Sequence, residues 1–243
     1  MSAEPPAPAK GTDMWGEDRI TWASLAVALG GVILVAGFLT QQRAPVGVGD
    51  SGLVWLTFSL LCILGAAATL FPHICSPSTT LPEDLDPSRY TELLCVRLVH
   101  GHHPTCGGFQ GHEFTLGEKR FCAGCTGLLI GAVAALAVTA LYSYRGSQLP
   151  SLVGYVGLLF VSMGLLHVPL LEKEPRPLRV LFNALLVAGF SLVLASVDGL
   201  GNPTFDFVVV GLCVYWILTR IQLSRWSHNR VCRECEEPCD LRY

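Results

Sequence analysis

Six long apolar runs, at residues 20–40, 53–71, 126–144, 152–171, 178–197 and 205–221, follow one another along the chain. Polar stretches separate them, the longest covering residues 72–125. About 20 apolar residues in a helix cross a hydrocarbon core, so each run predicts a spanning helix. The expected fold class is all-α: a polytopic membrane protein of six transmembrane helices with a Cys/His-rich cytoplasmic loop and tail. The pattern divides the chain into a disordered cytoplasmic tail (1–19), helices one and two (20–71), the loop (72–125), helices three to six (126–223) and a Cys-rich tail (224–243). The first run is not expected to be a secretory signal. Its apolar core is too long, and no small-residue cleavage site follows.

Within the loop, Asp86-Pro87 reads as a helix start, a capping residue ahead of proline at the first helical position. After Tyr90, the apolar positions Leu93, Leu94, Leu98 and Val99 recur at helical spacing. They predict a short interfacial helix that ends near His100-Gly101.

Charge orients the bundle. The net charge of -3 is spread thinly and gives no case for nucleic-acid binding. Of the 16 Lys and Arg, only Arg43 and Arg145 fall on the side opposite the termini and the large loop. Cytoplasmic loops carry the excess of Lys and Arg, so both termini and the loop are expected in the cytoplasm, with the lipid bilayer as the one partner the sequence names.

Cytoplasmic thiols stay reduced, and when clustered they bind metal more often than they form structural disulfides. Seven of the 10 cysteines lie on that side, whereas Cys62 and Cys213 sit inside spans as small packing residues. His103-Pro104-Thr105-Cys106 and Cys122-Ala123-Gly124-Cys125 are two short pairs separated by 15 residues, which is zinc-ribbon spacing. Cys106, Cys122 and Cys125 are the expected thiolates. The fourth ligand is His103, His102 or His112, and spacing favours His103. The competing reading takes Cys122 and Cys125 as a redox dithiol at a helix N-terminus, although no thioredoxin-like βαβ setting accompanies them. In the tail, His228, Cys232, Cys235 and Cys239 follow an H-x3-C-x2-C-x3-C pattern. Zinc is the favoured occupant, and an iron–sulfur cluster is the alternative. The two groups form either separate sites, which is the favoured arrangement, or one joint site.

Ionisable and amide groups inside spans are costly and therefore candidates for function. His167 and Asn183 lie at similar depths in spans four and five and are expected to meet beneath the loop. There they serve either as acid/base and orienting groups or as a bundle-fastening hydrogen bond. Asp206 is expected near the outer end of span six as an interfacial or capping residue. Gly127-x-x-x-Gly131 predicts a close helix–helix approach. The chain has no Walker loop, dinucleotide fingerprint or HExxH helix.

The stretch from Cys106 through Phe114, Phe121-Cys122-Ala123-Gly124-Cys125-Thr126-Gly127 and on to Gly131 resembles the domain of unknown function 2085 family of prokaryotic integral membrane proteins. That family has an early cysteine, an aromatic segment, and Cys-x-Arg-Cys-Thr-Gly running into a transmembrane helix. Leu166-His167-Val168-Pro169 with Arg176 and Arg179 resembles its polar residue and arginine before the next helix. Gly124, His167 and Gly107 depart from its arginine, acidic residue and histidine, so the resemblance carries over Cys106, Cys122 and Cys125 as shared ligands. It implies a membrane protein of unassigned activity. The expected function is a scaffold or assembly role with structural zinc. The alternatives are a membrane-embedded metalloenzyme acting on a lipid or amphipathic substrate and, last, a transporter.

Overall fold

The computed structural model describes residues 14–41, 52–71, 86–93, 96–101, 107–109, 111–145, 149–171 and 175–234. Six helices among them are long and apolar enough to cross a membrane: α1 (Met14–Phe38), α2 (Gly52–Leu70), α3 (Ala123–Arg145), α4 (Ser151–Leu170), α5 (Arg176–Asp198) and α6 (Pro203–Glu234). The protein is a multi-pass membrane protein. Large apolar side chains such as Ile33, Leu64, Val133 and Leu152 face outward along the spans, which suits lipid rather than water as the surrounding solvent.

α5 is the central post. From Val193 to Leu200 every residue is buried, because α3 and α4 press on it from two sides. Small residues allow the approach. A Cβ at Gly131 of α3 would sit 2.6 Å from the Ala184 carbonyl oxygen, and one at Gly127 would land on the carbonyl oxygen of Val180. On the other side, Gly157 of α4 and Gly189 of α5 lie against each other's carbonyls. Turn chemistry then sets the path into α6. Gly201 takes a φ of 69°, which favours glycine. The Asn202 side chain accepts the Thr204 N–H at 3.1 Å, and Pro203 opens the helix.

α1 lines up with α6 through polar ties between apolar faces. The Trp216 indole N–H donates to the Ala28 carbonyl at 2.9 Å, and Trp226 donates to Asp18 at 2.8 Å. The start of α1 and the end of α6 are therefore neighbours. The tail is correspondingly less separate than the sequence predicts. α6 runs on from residue 221 to Glu234 because Leu223 is fully buried and Trp226 packs edge-on against Trp22. His228 and Cys232 thus lie on the last turns of a spanning helix rather than on a free tail.

A second correction concerns the loop. The expected interfacial helix after Tyr90 is instead an antiparallel hairpin, β1 (Tyr90–Leu93) with β2 (Val96–Val99), in the register Tyr90↔Val99. Asp86-Pro87 opens only a one-turn 3-10 helix (Pro87–Arg89), in which the Asp86 carboxylate accepts the Ser88 N–H at 2.9 Å. That bond holds the exposed Asp86 carboxyl below its ordinary range. Tyr90, Thr91, Val96 and Val99 are β-branched or aromatic, and their strand preference wins over the 3.6-residue spacing of the leucines. A second hairpin pairs β3 (Glu113–Leu116) with β4 (Lys119–Cys122) about a Gly117 turn with φ of 63°. Lys119 fastens the two hairpins by donating to the Pro87 and Tyr90 carbonyls at 2.8 and 2.9 Å. The buried Arg89 reaches Glu113 at 3.5 Å.

Replacing Gly131 with valine drives its side chain into the α5 backbone and should lower stability by about 1–3 kcal/mol. Gly30→Ala, with nothing within 4 Å of the new methyl, should cause no loss. Thermal unfolding in detergent reads both; equal unfolding temperatures for Gly131→Val and wild type would rule out this helix contact.

Candidate functional site

β4 passes into α3 without an intervening residue, and the cysteine pair sits on that junction. Cys122 is the last residue of the strand. Its N–H donates to the His100 carbonyl at 2.7 Å, and the Ala123 N–H donates to His112 at 2.9 Å. Its sulfur accepts the Cys125 N–H at 3.5 Å, so Cys122 fills the place of an N-cap, satisfying one of the unpaired amides of the first helical turn. Cys125 is then one turn into α3 rather than at the end of a loop.

The histidines of the loop divide by role. His100 stacks on Phe121 with ring centroids 4.4 Å apart. One ring nitrogen contacts the Arg120 carbonyl at 2.6 Å and the other contacts the Thr91 hydroxyl at 3.1 Å. A carbonyl can only accept, so Nδ1 carries the proton and the ring is a hairpin fastener. His112 is buried instead at the turn into β3, where its Nδ1 lone pair accepts from the Arg179 guanidinium at 2.5 Å. Phe109 sits edge-on to both His112 and His228, and those two imidazole centroids are 5.2 Å apart.

His112, His228 and the cysteine pair share one pocket of about 200 Å³, walled by β4, α3, α5 and α6. Its lining includes His112, Cys122, Cys125, Arg179, Asn183, Arg220, Ser224, Arg225 and His228. Among the described residues, no three His, Cys, Asp or Glu side chains stand at metal-ligating separation. The other predicted ligands, His103, Cys106, Cys235 and Cys239, lie outside the described residues, as does His102. Cys232 is half-buried, one helical turn beyond His228. The structure therefore gathers Cys122, Cys125 and His228, which the sequence assigned to two separate groups. From the loop it adds His112, one of the three candidates for the fourth ligand.

His167 and Asn183 each bond to a carbonyl four residues back on their own helix. His167 is buried against Phe182, with ring centroids 5.2 Å apart, and its Nδ1 lies 3.3 Å from the Met163 carbonyl. The next residue, Asn183, turns to α3, with its Cβ over Gly127. Its amide donates to the Arg179 carbonyl at 2.6 Å, and it lines the pocket that His167 does not. Asp206 lies in the first turn of α6, where it is buried near Asp198. Asp198 in turn accepts from the Tyr142 hydroxyl at 2.7 Å. Asp198 and Arg220 are the residues the sequence reading missed. Both are ionisable groups at or inside an apolar run, and that was the available signal.

No protein-family model, curated protein or solved structure matches the chain.

Tyr142→Phe deletes the donor to a buried carboxylate and should cost about 1–3 kcal/mol. A double-mutant cycle with Asp198→Asn in thermal unfolding should show the two changes coupled rather than additive. Additive losses would mean that the hydroxyl and carboxylate are not bonded.

Proposed function

We propose that this protein is a membrane scaffold or assembly protein whose cytoplasmic face is folded around structural zinc. The observation that carries the reading is the convergence of Cys122, Cys125, His112 and His228, from a hairpin and two helices, on one pocket. Two thiolates and two imidazoles are a donor set of closed, tetrahedral zinc sites. Two imidazoles bound to one zinc through bonds of about 2.0 Å place their ring centroids about 5 Å apart, and the 5.2 Å between His112 and His228 suits that. When bound, zinc would supply folding free energy, tying the hairpin to the end of α6. Cys122, Cys125, His228 and His112 would hold it, after side-chain rotations that bring them to ligating separation and with Arg179 leaving His112 Nδ1.

The bias of Lys and Arg to this face supports a cytoplasmic orientation, where thiols stay reduced and free to ligate. The stretch that resembles the domain of unknown function 2085 family includes the same cysteine pair.

One observation favours a second reading. If Arg179 keeps His112, three donors remain, and the fourth position of the metal stays open for water or substrate, as in catalytic zinc. The chain is then a membrane-embedded metalloenzyme for a lipid or amphipathic substrate, with Asn183 on the pocket wall as the orienting group.

Metal content per chain of detergent-purified protein, by mass spectrometry, decides. One zinc that is lost in Cys122→Ser, His228→Ala and His112→Ala alike is the expected result for a closed site. Zinc kept in His112→Ala but lost in the other two supports the open site. Further zinc lost only in Cys235→Ser, or zinc lost in His103→Ala, would assign the ligands as the spacing does. A wild-type chain without zinc, or Cys122→Ser with its full complement, would refute both readings.

A further inference from the structure

The end of the bundle opposite the cysteine pocket gathers negative charge that no described residue cancels. Asp198 closes α5 and Asp206 stands in the first turn of α6. The turn between them is tight: the Gly201 N–H donates to the Asp198 carbonyl at 3.0 Å, and the Asp206 N–H donates to the Asn202 carbonyl at 3.4 Å. It brings the two carboxyl groups together. Tyr142 of α3 reaches across to donate its hydroxyl to Asp198 Oδ2 at 2.7 Å, and Trp55 of α2 lies against the Tyr142 ring with centroids 4.9 Å apart.

Both carboxyl groups are buried, Asp206 at 2% exposure and Asp198 at 8%. Asp206 Oδ1 has no hydrogen-bond partner among the described residues. No Lys, Arg or His among them pairs with either carboxyl group, and Arg145, at the same end, is exposed. The helix ends do not restore the balance. The positive N-terminus of α6 beside Asp206 is matched by the negative C-terminus of α5 beside Asp198. Buried charge without a partner is costly, and a buried acceptor left without a donor points to an ion or water that serves it.

Charge and donor type narrow the occupant. A proton shared by the pair cancels one of its two charges, whereas a divalent cation cancels both. The donors are oxygens, which suit hard cations rather than zinc or copper. Magnesium demands near-ideal octahedral geometry, but calcium accepts irregular shells of about six to eight oxygens, water among them. We propose that Asp198 and Asp206 bind a hard divalent cation of the calcium type, which fastens the turn between α5 and α6. The site lies at the far end of α3, α5 and α6 from the cysteine pocket and does not depend on zinc there.

Thermal unfolding of the full chain tests it, in a maltoside detergent at neutral pH and in buffer freed of metals by resin, so that no chelator strips zinc. The probes are calcium chloride and sodium chloride at equal ionic strength. Two carboxylates leave much of the shell to water, so the half-effect of calcium is expected at about 0.1–1 mM. At about ten times that concentration, calcium should raise the unfolding temperature by about 3–6 °C, and sodium should not. Asp206→Asn keeps the size and removes the buried charge. Without calcium it should be at least as stable as wild type, and it should need about tenfold more calcium for the same shift. Asp198→Asn should behave alike. A wild-type chain indifferent to calcium, or a folded Asp206→Asn that responds as wild type does, overturns the proposal. Stabilisation by acid without any response to calcium also overturns it and assigns the pair a shared proton instead.

Discussion

The close approach of α3 to α5 is the contact on which the rest of the molecule depends. Lipid tails are as apolar as leucine, so helices in a bilayer gain little by hiding apolar surface from one another and are held by packing and polar ties. Gly127 and Gly131 bring the α3 backbone against the carbonyls of Val180 and Ala184. Because Gly127 is two residues from Cys125 and Val180 follows Arg179, the distance set by these glycines is also the distance across the pocket. A bulkier residue there would part the cysteine pair from the α5 side of the wall and loosen the post around which α4 and α6 are arranged.

Polar ties complete the arrangement at both ends of the bundle. On the hairpin side, Trp226 to Asp18 and Lys119 to two carbonyls join parts of the chain distant in sequence. On the other, Tyr142, Asp198 and Asp206 gather between α3, α5 and α6. The two polar regions differ in composition: arginines and histidines line the pocket at the first, and a tyrosine with two aspartates makes up the second.

The six spans were legible because length and apolar content alone specify a membrane helix, and Gly127-x-x-x-Gly131 was legible because small residues at that spacing have one common use. The hairpin at Tyr90–Val99 was not. Leu93, Leu94, Leu98 and Val99 fit a helical face, and only the β-branched residues between them weighed towards strands. Asp86-Pro87 opens a helix and a single 3-10 turn equally well. At the pocket, residue spacing identified Cys122, Cys125 and His228 as ligand types but grouped them by proximity in the chain. Their convergence comes from α6 continuing beyond the apolar run, carried by Leu223 at the edge of the expected spans and by Trp226, which looked like an ordinary tail residue. Arg220 was read only as a topological charge, and its burial depends on neighbours that a linear reading does not supply.

The absence of any linker between β4 and α3 has a mechanical meaning. Cys122 belongs to the strand ladder through Glu113 and to the first helical turn through Cys125. The hairpin therefore joins the transmembrane helix with no free residue between them, and its placement is tied to the glycine seam against α5.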